Sequence, residues 1–218
     1  MIGGGVIGCA IAYYLLHSDN RLKVGLIEMD PTYVRASSTL SEGNIRVQFN
    51  LRENIQMSIY GLQMLKEFSD QMAVSETIPD VNFRQQGNLF IVDAASRAEA
   101  KQGYMLQRTL GCEVEWLSPK QVQNHYPFYN LQDCVGGTFG RQDGTMSPEA
   151  ILTGYRRKAV SLGAQFVHGR VEKLLVHNNR IAGVSLYGGR EITTDIVVNS
   201  AGAWAAQISR SAGISLPV

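Results

Sequence analysis

The sequence predicts an α/β fold with a parallel, Rossmann-like dinucleotide-binding sheet into which a mainly antiparallel α+β segment is inserted. Three observations carry this prediction. Residues 3–8 fit the glycine spacing G-x-G-x-x-G directly ahead of a helical run. An apolar segment over 23–28 ends in an acid about twenty residues later. A further apolar run over 196–199 leads into the small-residue turn 200–202.

Composition and charge exclude several function classes. The chain has 218 residues with 20 basic and 19 acidic side chains, and a net charge of +1 does not indicate binding to nucleic acid or to an anionic membrane surface. The three cysteines lack metal-ligand spacing and the four histidines are scattered, so we expect a reduced protein without a metal site. No segment has the ~18 apolar residues that a membrane span needs. We expect a cytoplasmic protein, with the mitochondrial matrix as the alternative.

The N-terminal segment predicts the phosphate-binding part of a nucleotide site. The first glycine of residues 3–8 allows a tight turn, the second a close approach of a pyrophosphate, and the third close packing of helix on strand. The next helix, predicted over 5–17, directs its N-terminus at the phosphates. Glu28, at the end of a strand over 22–28, is placed to accept the hydroxyls of an adenosine ribose. Two residues remain for the first strand, which usually has about 5, so we expect a chain truncated at this end.

The middle of the chain predicts helices that alternate with short strands. Apolar residues at helical spacing predict a helix over 53–72, and a second helix is predicted over 96–110. Two short strands are predicted around Gly87, and a glycine-rich strand region over 135–146. Ser118 begins a Ser-Pro-Lys-Gln segment, which has the pattern of a capping box at a helix start.

The last third of the chain predicts a helix over 147–162, an antiparallel meander and a final helix over 203–212. The strands of the meander are predicted at 165–167, 171–177, 180–187 and 191–199. The basic cluster Arg156-Arg157-Lys158 lies inside the first of these helices, and we interpret it as a solvated face.

Four ordered motifs resemble the flavin-dependent amine oxidoreductases, the group of D-amino acid oxidase, sarcosine oxidase and glycine oxidase. The motifs are GGGVIG at 3–8, LIEMDP at 26–31, RASSTLSEGNIRVQF at 35–49 and VVNSAGAW at 197–204. Within this group, the resemblance is greatest to the branch of the mitochondrial FAD-dependent oxidoreductase-domain protein linked to complex I assembly. It covers nearly the whole chain. Because members of the group continue for a comparable length, we expect an N-terminal fragment, truncated at both ends.

The resemblance implies FAD as the cofactor and assigns its contacts residue by residue. The implied contacts are Gly3, Gly4, Gly5, Val6, Ile7 and Gly8 at the pyrophosphate, Glu28 with Met29 at the ribose, Ser37, Ser38 and Thr39 at phosphate or ribitol, Gly43, Asn44, Ile45 and Arg46 beside the isoalloxazine ring, Val171 at the adenine, and Ala201, Gly202 and Trp204 over the dinucleotide. Arg46 and Gln48 are the catalytic candidates: Arg46 stabilises the reduced flavin or guides a substrate carboxylate, and Gln48 lines the flavin. Residues 1–78 and 146–218 are then the FAD-binding domain, and 79–145 is the inserted substrate or cap domain.

The function that the resemblance implies for the full-length protein is oxidation of a small amine or amino acid. A hydride leaves the carbon beside the nitrogen and goes to the flavin, and the electrons then pass to oxygen or another acceptor. Two alternatives stay open. One is an FAD-containing assembly factor or scaffold that acts on a partner protein without turnover. The other is an NAD-dependent dehydrogenase, since the glycine loop and Glu28 serve both dinucleotides. The fragment alone is expected to bind FAD weakly and to be inactive.

Overall fold

The computed structural model describes residues 1–217. In chain order, the helices and strands are α1 (Val6–Ser18), β1 (Gly25–Glu28), β2 (Asn44–Ile45), α2 (Arg52–Gln71), β3 (Asn88–Val92), α3 (Arg97–Thr109), β4 (Val114–Leu117), α4 (Pro119–His125), β5 (Gly136–Gly140), β6 (Gly144–Thr145), α5 (Pro148–Ser161), β7 (Gln165–His168), β8 (Val171–His177), β9 (Arg180–Leu186), β10 (Glu191–Thr193), a 3₁₀ helix (Gly202–Trp204) and α6 (Ala205–Arg210). Among these residues, no helix is both long enough and apolar enough to cross a membrane.

The chain separates into two compact units. The first consists of Met1–Ser41, Ser69–Asp80 and Pro148–Val218, and the second of Glu42–Phe68 and Val81–Ser147. The predicted first part of the FAD-binding domain, 1–78, includes Glu42–Phe68, which lies in the second unit. This segment belongs to the second unit because β2 pairs with β6, and because Ile55 and Leu62 share a core with Val114. The cofactor and substrate roles of the two parts stay predictions.

The first unit contains the parallel sheet that the sequence predicts. β1 and β7 pair in parallel along their whole length. Ile2 bridges in parallel to Ile27 on one side and to Asn199 on the other. Parallel neighbours require crossover connections, and α1 supplies the one between Ile2 and β1. This arrangement confirms the predicted α/β class, and it brings the carboxyl ends of neighbouring strands to one edge of the sheet.

The position of β7 is the main correction to the predicted topology. The predicted strand 165–167 of the antiparallel meander lies instead in the parallel sheet beside β1. Alternation of apolar and polar side chains fits both parallel and antiparallel strands, so the sequence pattern does not distinguish the two kinds of pairing. Main-chain contacts do: Gln165 N donates to the Val24 carbonyl and Gly169 N donates to the Glu28 carbonyl, each at 2.9 Å.

The antiparallel meander consists of β8, β9 and β10. The predicted strand 191–199 is wrong in extent, because β10 ends at Thr193 and Asn199 belongs to the parallel sheet. The Thr194 hydroxyl donates to the Ile196 carbonyl at 3.1 Å and holds the bend between the two sheets. The meander, the parallel sheet and α6 share one core, which is formed by Ile2, Ile27, Val171, Leu174, Val184, Leu186 and Ile208.

The second unit contains an antiparallel sheet in the order β3-β5-β4, and the short pair β2-β6. Of the two strands predicted around Gly87, the one after it is β3, whereas Arg84 before it forms an isolated bridge to Thr145. Gly87 has a φ of +76°, which interrupts the extended backbone between them. The predicted capping box of α4 is confirmed, because the side chains of Ser118 and Gln121 accept each other's backbone N–H.

Candidate functional site

The glycine-rich loop connects Ile2 to α1 at the carboxyl edge of the parallel sheet. Gly3 has a φ of +93°, and a Cβ there would lie 2.4 Å from the carbonyl oxygen of Ser200. A Cβ at Gly8 would lie 2.0 Å from the carbonyl oxygen of Gly3. Neither position has room for a side chain. The tight turn and the close packing predicted for the first and third glycines are therefore present.

Two side chains hold the carbonyl groups of this loop. The Ser200 hydroxyl lies 2.9 Å from the carbonyl oxygen of Ile2 and 3.0 Å from that of Gly3. The Cys9 thiol donates to the Gly4 carbonyl at 3.0 Å. Burial raises the pKa of this thiol to about 12, so it keeps the proton that it donates. These two side chains thus fix three carbonyl groups of the loop.

The first turn of α1 presents backbone N–H groups at the same place. A helix leaves its first N–H groups without intrahelical acceptors, and no acceptor among residues 1–217 takes those of Ile7 and Gly8. The Val6 N–H donates to the Ser38 hydroxyl oxygen at 3.1 Å. A Cβ on Gly5 would meet only that oxygen, at 3.4 Å, so the space over the loop is open. This set of donors fits a diphosphate group.

Of the three hydroxyl residues predicted at the phosphates, Ser38 lies at the loop. The Thr39 hydroxyl lies instead within hydrogen-bond distance of the carbonyls of Tyr33 and Ala36, and it stabilises the turn after β1. Ser37 is exposed. Contacts of these hydroxyls with FAD stay predictions, and the geometry favours Ser38.

Glu28 is buried, and its carboxylate reaches the glycine loop. Its Oε2 accepts the Gly4 N–H at 2.7 Å, and its Oε1 accepts the Asp30 N–H at 2.8 Å. A carboxylate has about four acceptor sites, so two remain for the hydroxyls of a sugar. Met29, next to it, is exposed, and its carbonyl oxygen lies 3.2 Å from His168 Nε2. The structure therefore brings the predicted acid and the predicted loop together.

The turn after Asn199, the second predicted contact region, lies beside the loop. Asn199 Oδ1 accepts the Ala201 N–H at 3.3 Å, and its Nδ2 donates to the first carbonyl of α6 at 2.8 Å. The Ala201 Cα would be 3.1 Å from a Cβ on Gly3. Gly202 has a φ of +54° with open space around it, and Trp204 is exposed. The turn is thus anchored at Asn199 and accessible at its tip.

Val171, predicted to meet the adenine through its backbone, is the first residue of β8. Its side chain is buried in the core of the first unit, and its backbone pairs with Leu186. The side chain is therefore structural, and a backbone contact with adenine stays a prediction.

The basic cluster on α5 differs from its predicted role as a solvated face. Arg157 is exposed, but Arg156 is half-buried against Tyr33 and Phe166. Lys158 donates to a backbone carbonyl at 2.9 Å. The interpretation is wrong for Arg156 and Lys158, because successive helix residues point about 100° apart and a run of three cannot share one face.

In the second unit, the segment predicted beside the isoalloxazine ring includes β2. Gly43 has a φ of +70°, and its carbonyl accepts the Met146 N–H at 2.9 Å. Asn44 and Asn88 exchange side-chain hydrogen bonds of 2.9 and 3.1 Å. Ile45 pairs with β6. These contacts fix the backbone that leads to Arg46.

Arg46 forms no salt bridge within residues 1–217, although its charge acts on the buried Asp143. Its guanidinium carbon lies 4.8 Å from the centre of the Phe49 ring and 5.2 Å from that of Phe90. Its Nε is buried without a hydrogen-bond acceptor among residues 1–217, and neither salt bridge found there includes it. Stacking on rings orients a guanidinium. Arg46 is therefore held in place and has donors available for an acceptor from outside.

Gln48, the other catalytic candidate, is buried and hydrogen-bonded. Its Nε2 donates to the Asn88 carbonyl at 2.9 Å and to Asp143 Oδ2 at 3.0 Å. Asp143 is fully buried, and its Oδ1 accepts the Val47 N–H at 2.9 Å. Burial raises the pKa of Asp143, and the hydrogen bonds from Gln48 and Val47 partly oppose that rise. Gln48 thus helps to fix the segment after Arg46, and its contact with a flavin stays a prediction.

Ser200 in the first unit and Asp143 in the second each fix a predicted segment, although no sequence motif singled out their roles. Ser200 contacts the Gly3 carbonyl across a separation of 197 residues, and Asp143 binds the Val47 N–H across 96. A pattern of neighbouring residues carries no signal for such pairs. For Ser200, the one available signal is its place at the end of a predicted strand of the parallel sheet.

Comparisons with known proteins cover nearly the whole chain. A family model described as FAD dependent oxidoreductase matches residues 1–218. FAD-dependent oxidoreductase domain-containing protein 1 of Xenopus laevis is 33% identical over 98% of this chain and 48% of its own length. The mitochondrial sarcosine dehydrogenase of Mus musculus is 31% identical over 100% of this chain and 24% of its own length.

Among solved structures, L-proline dehydrogenase from P. horikoshii is 29% identical and superposes with a TM-score of 0.82, over 98% of this chain and 55% of that one. The chain thus spans about half the length of the Xenopus and P. horikoshii relatives. The structural match confirms the predicted fold class. The family match confirms the resemblance carried by the four motifs, and it confirms FAD as the family's cofactor.

Proposed function

Because this chain belongs to the family of FAD-dependent oxidoreductases, we propose that it forms the FAD-binding part of an enzyme that oxidises a small amine or amino acid at a CH–NH group. One observation carries the proposal: the amides of Ile7 and Gly8 are open at the loop where Glu28 binds Gly4. A diphosphate cradle beside a ribose acceptor fits a dinucleotide. The family match favours FAD over the NAD-dependent alternative.

FAD supplies the hydride acceptor when it is bound, and the residues of this chain bind and orient it. The amides of Ile7 and Gly8 hold diphosphate oxygens without a buried opposing charge. The two remaining acceptor sites of Glu28 take the ribose hydroxyls. The Ser38 hydroxyl accepts from Val6 through its oxygen and has a proton to donate to a phosphate oxygen.

We propose that Arg46 stabilises an anion of the reaction. This anion is either the carboxylate of an amino acid substrate or the negatively charged reduced flavin. The rings of Phe49 and Phe90 lie over the guanidinium, and its Nε is buried, so it interacts with an anion more strongly than in water. Two relatives are named as dehydrogenases of sarcosine and of L-proline, which are amino acids. Their names support a substrate that carries a carboxylate.

The electron acceptor belongs to the same proposal: oxygen or another acceptor, which includes a partner protein. We place the protein in the cytoplasm or the mitochondrial matrix, where free thiols such as those of Cys9 and Cys112 stay reduced. The rate at which air reoxidises the reduced flavin, compared with the rate given by an artificial acceptor, distinguishes the two kinds of acceptor.

The FAD site is tested by Gly8→Ala with Gly25→Ala as its matched control, both in the full-length protein. A Cβ at residue 8 would lie 2.0 Å from a carbonyl oxygen, whereas no atom lies within 4 Å of a Cβ at residue 25. We expect Gly8→Ala to weaken FAD binding by about tenfold or more, since the helix has to move away from the loop. Gly25→Ala should keep its FAD. The ratio of FAD to protein after gel filtration is the measurement.

The activity is tested by adding amines and amino acids to the FAD-loaded protein without oxygen, since substrate oxidation then bleaches the flavin absorbance. We expect bleaching by a member of a panel of N-methyl, D- and L-amino acids. Full FAD content in Gly8→Ala would contradict the cradle. An FAD-loaded wild type that none of these compounds reduces would contradict the proposed reaction.

A further inference from the structure

Arg156 on α5 is enclosed by aromatic side chains and has no acidic partner. Its guanidinium carbon lies 5.2 Å from the centre of the Phe166 ring and 5.6 Å from that of Tyr33. Its Nη1 donates to the Tyr33 hydroxyl at 3.4 Å. Neither salt bridge found in residues 1–217 involves it. Because a stacked guanidinium is planar and fixed, Arg156 links two aromatic residues from distant segments of the first unit.

Phe166 lies next to the contact between Glu28 and the glycine loop. It belongs to β7 and pairs with Leu26 of β1, two residues before Glu28. A Cβ built on Gly4 would lie 3.2 Å from a ring carbon of Phe166 and 3.1 Å from the Glu28 Cβ. The Phe166 ring therefore packs beside the hydrogen bond between the Gly4 N–H and Glu28. A displacement of the ring would disturb this hydrogen bond.

Tyr33 holds the turn that leads to Ser38. Tyr33 is buried with a φ of +58°, a left-handed conformation that is unfavourable for a bulky residue and persists only where its surroundings hold it. Its carbonyl accepts the Ala36 N–H at 3.0 Å and also the Thr39 hydroxyl. Ser38, within this turn, accepts the Val6 N–H. The ring and hydroxyl contacts with Arg156 are among those that keep Tyr33 in this conformation.

Arg156 also supplies positive charge near Glu28. Burial is the main cause of the raised pKa of Cys9, which the charge of Arg156 lowers and that of Glu28 raises. The pKa of Tyr33 is raised mainly by burial, and the charge of Arg156 lowers it whereas that of Glu28 raises it. A buried carboxylate is costly without a cation nearby. Cys9 and Tyr33 thus lie within electrostatic reach of both charges, and both oxygens of Glu28 are bonded to backbone N–H groups.

We propose that Arg156 is a positioning residue for the adenosine diphosphate half of FAD. Through Phe166 it supports the contact of Glu28 with the glycine loop, and through Tyr33 it holds the turn that brings Ser38 to α1. The inference rests on the proposed FAD site and deepens it, since none of the four motifs that carry the family resemblance includes Arg156. It requires no contact between Arg156 and the cofactor.

The experiment measures the affinities of the FAD-free, full-length protein for FAD, by quenching of flavin fluorescence, and for ADP, by competition. ADP probes the adenosine diphosphate half alone. Arg156→Met removes the charge and the planar group, whereas Arg156→Lys keeps the charge. Arg157→Met, at the exposed neighbouring position, is the matched control.

We expect Arg156→Met to weaken binding of both FAD and ADP by about tenfold, since binding then has to order the turn and the acid. Arg156→Lys should lie between this variant and wild type, because it keeps charge without stacking. Arg157→Met should stay within about twofold of wild type. Thermal unfolding without ligand gives the folded fraction, and affinities are expressed per folded protein, so a loss of stability alone does not produce the expected result.

The proposal is overturned if folded Arg156→Met binds FAD and ADP as tightly as Arg157→Met does. If Arg156→Met does not fold, Arg156→Lys decides, and affinities within about twofold of wild type overturn the proposal. A wild type that binds neither FAD nor ADP contradicts the proposed function itself, and this inference with it. Failure of the inference about Arg156 and failure of the proposed FAD-binding function therefore give different results.

Discussion

At the scale of single residues, Asp143 organises several segments of the second unit. It is fully buried, its carboxylate accepts from Val47 and Gln48, and its main-chain carbonyl accepts the Gly87 N–H at 2.9 Å. A Cβ at Gly140 would lie 2.4 Å from its Oδ2, so the neighbouring strand has no side chain there. A buried polar group that is bonded on both oxygens cannot lose one partner without a cost, unlike an exposed one.

Asp143→Asn should lower the free energy of unfolding by about 1–3 kcal/mol. Asn keeps the oxygen that faces Val47 but sets an NH₂ group against the amide nitrogen of Gln48, so two donors oppose each other. Asp133→Asn makes the same chemical change at an exposed position and should have little effect. Urea unfolding measures both variants. Equal losses in the two would contradict the role of Asp143.

The pH dependence of this difference has a defined sign. Burial raises the pKa of Asp143 above its ordinary value of 3.8, so the folded protein keeps a proton that the unfolded chain has released. The stability that this proton contributes is present below the ordinary pKa and is lost as the pH rises through the raised one. The unfolding free energy of wild type minus that of Asp143→Asn should therefore fall with rising pH over that window. A difference that grows would contradict the raised pKa.

Cys9 should resist alkylation under conditions in which Cys134 reacts. The thiol of Cys9 is buried with a pKa of about 12, so almost none is thiolate at about pH 8. Cys134 is half-buried. Brief treatment with iodoacetamide followed by mass spectrometry measures both sites, and denatured protein, in which both react, is the control. Equal rates in the folded protein would show that the Cys9 contact with Gly4 opens readily.

At the scale of elements, sequence patterns predict helix ends better than strand partners. Helix caps and glycine loops are local, so the capping box at Ser118 and the start of α1 follow from neighbouring residues. Strand pairing depends on distant segments. β7 alternates like a meander strand, but its ends bond to Val24 and Glu28. Asn199 follows β10 closely in sequence and yet pairs with Ile2.

Ser118→Ala should destabilise the protein by about 1 kcal/mol, because it removes the hydroxyl oxygen that accepts the Gln121 backbone N–H. Ser96 precedes α3 without a side-chain cap hydrogen bond, and its hydroxyl donates to Asp93 in an exposed contact instead. Ser96→Ala therefore controls for the loss of an exposed hydroxyl without the loss of a cap, and it should cost less. Thermal unfolding compares the two variants. A larger loss in Ser96→Ala would show that the cap contributes little.

At the scale of the whole molecule, the cofactor loop is predictable from the sequence and most of its supports are not. Residues 3–8 and Glu28 belong to one strand–helix–strand unit, so their spacing carries the signal. Ser200 and Arg156 act across long separations, such as the 123 residues between Arg156 and Tyr33. The activity stays a proposal because the chain spans about half of the Xenopus and P. horikoshii relatives.

The hydrogen bond between Glu28 Oε2 and the Gly4 N–H, 2.7 Å long, matters for any attempt to change nucleotide preference. In the proposed FAD site, the same carboxylate accepts from the sugar and also holds the turn that contains Gly4. Gln at this position would set its NH₂ against the N–H of either Gly4 or Asp30, because each oxygen of Glu28 accepts one of these two donors. A redesign for a 2′-phosphorylated ribose therefore needs another acceptor for the Gly4 N–H, in addition to a residue that binds the phosphate.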